Sequence, residues 1–375
     1  MRLLLLRVIA CCLPALPSIA QSSLDSLVNS FGASFTSQPS HTGVSIGVYA
    51  DGKTYYFNYG TVKRGASMPP TNSTIYELGS VTKTFTACLL AQAITEGKMH
   101  LQDDVRKYLD SPYPNLAYHG HPITIENLAN HTAGLPKFLP RLDPTQTPDQ
   151  ILVAYPDISA AQLLSELSRF TPDTLPGTRF IYSNADAQLI GLILEKVDGR
   201  SYGECLHHYI TGPLGMTDTW LTVPDKDTGR IAAGYNAKGE IMPKLRFWRS
   251  LPAAGYIKST TADLVKYMQF CLDEKNAVVR LSHRVTFRHT GEHDADIALY
   301  WFVKEPPGGY RELLHGGGSF GTTSLCLLVP QYRIGVICLA NDAAPGTEHT
   351  LTLLSEAIAK MLVHSLLLPG HPTLW

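Results

Sequence analysis

Strand signals stand at the two ends of this chain and helical signals fill its middle, which constrains the fold more than any other feature. Thr42 to Ala50 and Lys53 to Gly60 alternate apolar and polar residues around Asp51-Gly52, a hairpin pattern. Ile297 to Lys304, Arg311 to Leu314, Thr322 to Val329 and Ile334 to Ala340 read as further strands. A lone hairpin is marginal in water, so strands from opposite ends of the chain must join one sheet. A closing helix is expected from about Thr350 to His364, with Leu353, Leu354, Ala357, Ile358 and Met361 on one stripe. Between the strand groups, helices are expected over Leu101–Leu109, Ile123–Asn130, Ser159–Phe170, Ala185–Val197 and Tyr202–Ile210, punctuated by proline and glycine. The expected class is α/β of the α+β kind. Residues 21–95 and 255–375 supply an antiparallel sheet flanked by helices, and 96–254 form a mostly helical insertion.

The first twenty residues read as a cleaved secretory signal. Arg2 and Arg7 carry the charge, Leu3 to Leu16 are mostly apolar, and Ser18-Ile-Ala20 supplies small residues for cleavage. Pro14 and Pro17 interrupt the apolar run, so no stable membrane span is expected there. Export to the periplasm or medium follows as the expected localisation. Of seven cysteines, Cys11 and Cys12 lie in this leader, and the five left make an odd number. That count argues against a complete disulfide framework. Cys326 and Cys338 flank the Pro330–Arg333 turn; free thiols are expected, with a bridge between these two as the alternative.

Ser80-Val-Thr-Lys83 follows a strand-like stretch, Ile75 to Gly79, and opens an apolar helix, Thr84 to Glu96. A serine at a helix start is ordinarily an N-cap. A lysine three residues on shares its face, so the Lys83 amine can reach the Ser80 hydroxyl. A hydroxyl becomes an effective nucleophile when a neighbouring base takes its proton. The helix start adds unpaired N–H groups that favour a developing oxyanion.

Two later stretches complete a pattern. Tyr182-Ser-Asn184 runs into the apolar helix from Ala185, and His315-Gly-Gly-Gly-Ser-Phe-Gly321 precedes a strand. With Ser80-x-x-Lys83, they make the chain resemble the serine β-lactamase and penicillin-binding protein superfamily. Class C β-lactamases, D-alanyl-D-alanine carboxypeptidases and related esterases are the nearest likeness. That family orders its motifs Ser-x-x-Lys, Tyr-x-Asn, then Lys-Thr-Gly or His-x-Gly. Asn127–Pro136, Gly212–Thr219 and Ala253–Thr260 are family-like phrases too, and the likeness runs from about Gly43 to the closing helix. The resemblance implies a β-lactamase/transpeptidase-like fold with its active site between the sheet and the helical part. It implies Ser80 as nucleophile and Lys83 and Tyr182 as the two candidate bases. Tyr182 would need its phenolate stabilised by the Lys83 cation. Asn184, His315 and Gly317 would bind substrate, and Ser80 and Gly318 would supply the oxyanion-hole N–H groups. Asn184 equally suits the N-cap of the helix that follows.

The departures carry information. Class C β-lactamases usually have Lys-Thr-Gly where this chain has His315-Gly316-Gly317. A neutral imidazole holds a carboxylate less firmly than a fixed cation, and Gly316 brings no hydroxyl. Protonation of His315 as pH falls toward about 6 is expected to favour carboxylate-bearing substrates. The expected function is a secreted serine hydrolase acting on β-lactams or D-Ala-D-Ala-type peptides. The departures pull toward a carboxypeptidase, an aminopeptidase acting on D-residues, or an esterase. A carboxylesterase and a non-turnover penicillin-binding sensor are the alternatives; a sensor would need neither Lys83 nor Tyr182. The partner is then a small-molecule or peptide substrate. With a net charge of −1 and no basic run, nucleic acid is not expected. No cofactor is expected. His119-Gly-His121 and His207-His208 lack carboxylate or thiolate partners at ligand spacing, and His131 reads as structural.

Overall fold

The computed structural model describes residues 19–50, 52–141, 145, 157–243, 249–288 and 295–367. Most of the expected leader, residues 1–18, lies outside the described residues. Helix α1 (Ile19–Ser37) leads into the hairpin β1 (Gly43–Ala50) and β2 (Lys53–Gly60). Strand β3 (Tyr76–Glu77) precedes α2 (Thr82–Thr95). The middle holds β4 (Ala117–Tyr118), β5 (His121–Pro122), α3 (Ile125–Ala129), α4 (Ala160–Leu167), α5 (Asn184–Asp198) and α6 (Tyr202–Leu206). Then come β6 (Lys258–Ser259), α7 (Thr261–Cys271), α8 (Ala277–Ser282), β7 (Asp296–Ile297) and β8 (Phe302–Lys304). Strands β9 (Glu312–Gly318), β10 (Thr323–Val329) and β11 (Ile334–Ala340) and the closing helix α9 (Thr347–Leu367) end the described chain.

Seven strands make one antiparallel sheet in the order β2-β1-β11-β10-β9-β8-β7. The two chain ends do pair: Val44 lies opposite Ala340 and Tyr49 opposite Gly335. Alternation of side chains sends successive residues to opposite faces, and both faces are covered. On one face Ile46, Val48, Leu325, Leu327 and Val336 pack with Leu24, Val28 and Phe35 of α1 and with Leu351, Leu354 and Ile358 of α9. On the other, Cys326, Leu328, Ile337 and Leu339 belong to a larger apolar cluster. It reaches through α2, α5 and α7 into the helical middle. One core therefore spans residues assigned above to sheet and insertion.

Several expectations are corrected. Helix α1 was not anticipated, although Leu24, Val28, Phe31 and Phe35 recur at helical spacing. The segment 297–304 is not one strand. Tyr300 takes φ 60° and the Ala298 N–H donates to the Trp301 carbonyl at 2.9 Å, making a tight turn that seats Trp301 in the core. Leu101–Leu109 yields only a short 3₁₀ turn, Val105–Tyr108. Asp103 and Asp104 accept the His100 and Arg106 N–H groups, an alternative to helical bonding. The closing helix is longer than expected and its inner stripe is rotated: Leu353 is 53% exposed, while Leu351, Ile358 and Leu362 are buried. By length and composition alone α9 could cross a membrane, yet its inner stripe packs on the sheet. The register puts Cys326 opposite Ile337 and Cys338 opposite Leu325, so the two thiols face opposite sides of the sheet. Both are free.

Candidate active site

The Ser80 turn is wedged between two strands. Tyr76 and Glu77 pair with Ser259 and Lys258, and the Leu78 N–H donates to the Ile257 carbonyl at 2.9 Å. Ser324 Oγ on β10 donates to the Leu78 carbonyl at 2.6 Å. Gly79 then turns the chain at φ 50°, a left-handed conformation that favours glycine, and Ser80 begins the turn into α2. Two glycine contacts lock this turn on β9. A Cβ on Gly79 would lie 2.5 Å from the Gly318 carbonyl oxygen and 2.7 Å from its nitrogen. A Cβ on Gly317 would strike the Leu78 carbonyl and sit 3.0 Å from the Ser80 nitrogen. The backbones of Ser80 and Gly318 are thereby held side by side.

Strand β8 pairs with β9 only from Lys304–Glu312 to Phe302–Leu314. From His315 to Gly318 that edge of β9 is left unpaired by β8 and lines a cleft of about 640 Å³. The cleft also takes in Ser80, Tyr182, Asn184, Lys137 and Glu348, with Phe138, Phe180, Phe302 and Phe320 as apolar walls. The structure thus gathers Ser80, Tyr182, Asn184, His315, Gly317 and Gly318 in one place, with Lys83 immediately beneath.

Lys83 is fully buried. Its Nζ lies 3.1 Å from Ser80 Oγ, 2.7 Å from Asn184 Oδ1 and 2.7 Å from the Ala254 carbonyl. Burial lowers its pKa far below the usual lysine range, and nearby Lys137 pushes the same way; Asp186 opposes them. An uncharged amine has two N–H bonds and one lone pair. The Asn184 oxygen and the Ala254 carbonyl are obligate acceptors of its N–H bonds, while the Ser80 hydroxyl accepts an N–H bond and, with the amine uncharged, can instead donate to its lone pair. The oxygen of Asn184 is therefore engaged by Lys83 and its NH₂ remains for a ligand. The expected N-cap role falls instead to Ser183, whose Oγ accepts the Asp186 N–H at 3.1 Å.

Tyr182 lies beside this group, its ring centroid 4.9 Å from Lys83 Nζ. Enclosure raises its pKa above the ordinary phenol value, and only a hydrogen bond with Ser80 works the other way. Of the two candidate bases, the shift disfavours the phenolate that Tyr182 would need. Behind it sits a buried pair. His131 Nδ1 is 2.9 Å from Asp186 Oδ2, and the Ser183 N–H donates to the same nitrogen at 3.3 Å. Burial raises the Asp186 pKa and depresses that of His131, in keeping with an uncharged pair. The His131 ring packs against Tyr182, centroids 4.6 Å apart and planes tilted by 47°, and so positions it.

His315 is buried, and its Nδ1 donates to the Gly316 carbonyl at 2.5 Å. Its ring meets Phe302 edge-on at 5.5 Å. Burial, then the Lys83 amine, pushes its pKa down to about 3. The expected protonation near pH 6 is thus corrected: His315 stays neutral there. Sequence reading also missed the Ala254 carbonyl, Lys137, Glu348 and the phenylalanine walls. Only the phrase Ala253–Thr260 hinted at the first. Among the described residues no three His, Cys, Asp or Glu side chains converge as a metal site.

A serine–lysine–tyrosine cluster on the edge of an antiparallel sheet defines a class of acyl-transfer hydrolases. Residues 24–359 match the Beta-lactamase family, and the chain belongs to that family. Over 340 residues it is 28% identical to a β-lactamase of Pseudomonas fluorescens, covering 82% of this chain and 90% of that protein. The fold is that of a class C β-lactamase crystal structure, with TM-score 0.77 and 23% identity over 93% of this chain and 99% of the other. A β-lactamase/D-alanine carboxypeptidase from Yersinia pestis aligns at TM-score 0.79 and 21% identity, over 92% and 99% of the two chains. The protein is thus a hydrolase of the serine β-lactamase and penicillin-binding protein family, which acts on small-molecule substrates.

Proposed function

We propose that the protein is a serine hydrolase that attacks an amide or ester carbonyl with Ser80 and passes through an acyl-enzyme. The observation that carries this is the contact set of Lys83. Its uncharged amine presents a lone pair to the Ser80 hydroxyl while two carbonyl groups fix its orientation. Lys83 takes the Ser80 proton as Oγ bonds to the carbonyl carbon. The Ser80 and Gly318 N–H groups receive the oxyanion. Tyr182, which retains its proton, is suited to supply it to the departing group. Water then releases the acyl chain.

The open edge of β9 suits an extended substrate laid against the backbone, and the phenylalanine walls suit an apolar side chain. The substrate is a β-lactam or a D-Ala-D-Ala-type peptide. A neutral His315 and the lack of a hydroxyl at Gly316 give specific support to the second reading, a carboxylesterase or an amidase whose substrate brings no carboxylate to β9. The leader read in residues 1–20 supports export to the periplasm or medium.

The test is covalent labelling with a fluorescent fluorophosphonate and a fluorescent penicillin. Ser80→Ala is expected to abolish labelling and to lower turnover at least about a thousandfold. Labelling that persists in the alanine variant places the nucleophile elsewhere. Nitrocefin, a D-alanyl-D-alanine peptide and a short p-nitrophenyl ester then rank the substrates.

A further inference from the structure

The cleft carries a carboxylate that the acyl-transfer chemistry does not use. Glu348 lies in the first turn of α9 and lines the cleft with Ser80, His315 and Gly316. Its side chain fills the space that a side chain at position 316 would occupy: a Cβ built on Gly316 runs into Oε1, with Cδ at 2.7 Å. The loss of a side chain at 316 and the presence of an acid at 348 are therefore one structural feature. A hydroxyl that could hold a substrate carboxylate is gone, and an anion lies over its place.

The surroundings leave this anion available. Among the described residues it has no ion-pair partner within 4.0 Å; Lys137 is near enough to pull its pKa down, while the enclosing walls pull it up. It is open to solvent within the cleft. His315, the other polar side chain on this stretch of β9, is uncharged. Its Nδ1–H is spent on the Gly316 carbonyl and its Nε2 is buried, so it offers a substrate carboxylate neither a charge nor a free N–H. The β9 side of the cleft thus presents the Glu348 carboxylate with no cation on the strand beneath it, a poor seat for a carboxylate and a good one for a cation.

We propose that Glu348 is the specificity-determining residue of this cleft, receiving a substrate ammonium group over Gly316 and rejecting substrates that bring a carboxylate there. The inference rests on the Ser80 acyl-transfer reading. The reach agrees with an amine close to the scissile carbonyl. Gly316 and Gly318 are two residues apart on one strand, about 6.6 Å, so the acid over Gly316 and the Gly318 N–H stand within reach of one small substrate. Lys137 lines the same cleft and can take a carboxylate elsewhere on the substrate. The substrate class is then an amino-acyl ester or amide with a free amine.

Three matched thiobenzyl esters test this, prepared from each enantiomer of phenylalanine: the free amine, the N-acetyl and the N-succinyl form. Thiol release reads kcat/KM for each. The parent protein is expected to prefer the ammonium form and to process the succinyl form worst. Glu348→Gln is expected to lower the ammonium-to-acetyl ratio by roughly tenfold to a hundredfold, the worth of a charged hydrogen bond. Glu348→Lys is expected to reverse the ammonium and succinyl order. Partial loss of folded enzyme lowers all three substrates equally and leaves the ratios intact. An unchanged ratio in Glu348→Gln, or a ratio that moves with Lys137→Ala instead, overturns the inference. Turnover that survives Ser80→Ala overturns the acyl-transfer reading itself, a different result from equal use of all three esters.

Discussion

Replacing Gly79 with alanine isolates the contact that sets the two oxyanion donors. The new Cβ would lie 2.5, 2.7 and 2.8 Å from the oxygen, nitrogen and carbonyl carbon of Gly318, where ordinary contact begins near 3.4 Å. All three atoms are backbone, so no side chain can swing away, and the Ser80 turn and β9 must part by several tenths of an ångström. Alanine at φ 50° adds about 1–2 kcal/mol of backbone strain. With overpacking of about 1–3 kcal/mol, the expected loss of stability is roughly 2–5 kcal/mol. Displacements approaching 1 Å at a reacting centre cost on the order of a hundredfold. The rate of Ser80 labelling by a fluorophosphonate is therefore expected to fall about a hundredfold, at a temperature where circular dichroism shows the variant folded. Gly318→Ala is the matched control, because its Cβ would meet nothing within 4 Å and its φ lies outside the left-handed region. It should leave stability within about 0.5 kcal/mol of the parent and slow labelling far less. If Gly79→Ala labels at the parent rate while its stability falls, the Gly79–Gly318 contact serves the fold and not the oxyanion hole.

Lys83→Ala and Tyr182→Phe should each cost nearly as much labelling rate as the double variant, because one takes the Ser80 proton and the other protonates the departing group of the same step; multiplicative losses would refute a shared network. In Glu348→Gln, where the neighbouring acid can no longer titrate, the ratio of kcat/KM for a carboxylate-bearing substrate to that for a neutral ester should stay flat between about pH 5 and 8, since burial holds the His315 pKa down at about 3. A rise toward pH 6 would show a protonated His315. Glu312 is 2% exposed, and burial, then Glu356, raises its pKa from 4.5 to about 7, with Lys304 opposing. Its folded form keeps a proton that the unfolded chain loses, so stability falls as pH rises from 4.5 to about 7 and is then flat. Glu312→Gln should match the parent in urea unfolding at about pH 4 and exceed it by ~2 kcal/mol at about pH 8; equal stability at both pH values would refute the assignment.

The sequence made legible those parts of the site that rest on local chemistry. Ser80 and Lys83 share a helix face at fixed spacing, and Tyr182 and Asn184 directly precede a helix whose apolar run is plain. The parts it hid are long-range. The Ala254 carbonyl that orients Lys83 is a backbone group and carries no side-chain signature. Glu348 in a first helical turn reads as an ordinary complement to the helix dipole until Gly316 is seen beneath it. His131 and Asp186 meet across 55 residues, a pairing that no local pattern shows. Among the strands, Ile334–Ala340 is placed at its expected bounds because seven apolar residues buried on both faces admit little else. Ile297–Lys304 fails because alternation alone cannot show that Tyr300 turns the chain back on itself. The cysteines show how little separates two outcomes: one residue of register puts Cys326 and Cys338 on opposite faces.

The directions of the buried titrations agree in a way that divides the labour at Ser80. Lys83, His131 and His315 are pushed down, and Tyr182 and Asp186 are pushed up. Each shift favours the uncharged form, and burial is the first cause of every one. An uncharged lysine is a base and an uncharged tyrosine is an acid, so one dry environment prepares both without moving a proton between them. The environment is costly: His131 Nε2, Asp186 Oδ1 and His315 Nε2 are buried without a hydrogen-bond partner around the Tyr182 ring. Each such group costs about 1–3 kcal/mol. The apolar cluster that runs from the sheet through α2 and α5 must offset this, and it is the same cluster that excludes water from Lys83. Stability is thus spent where the amine has to stay neutral. Glu348, out in the solvated cleft, lies outside that shell, and its negative charge adds to the enclosure that keeps the proton on Tyr182.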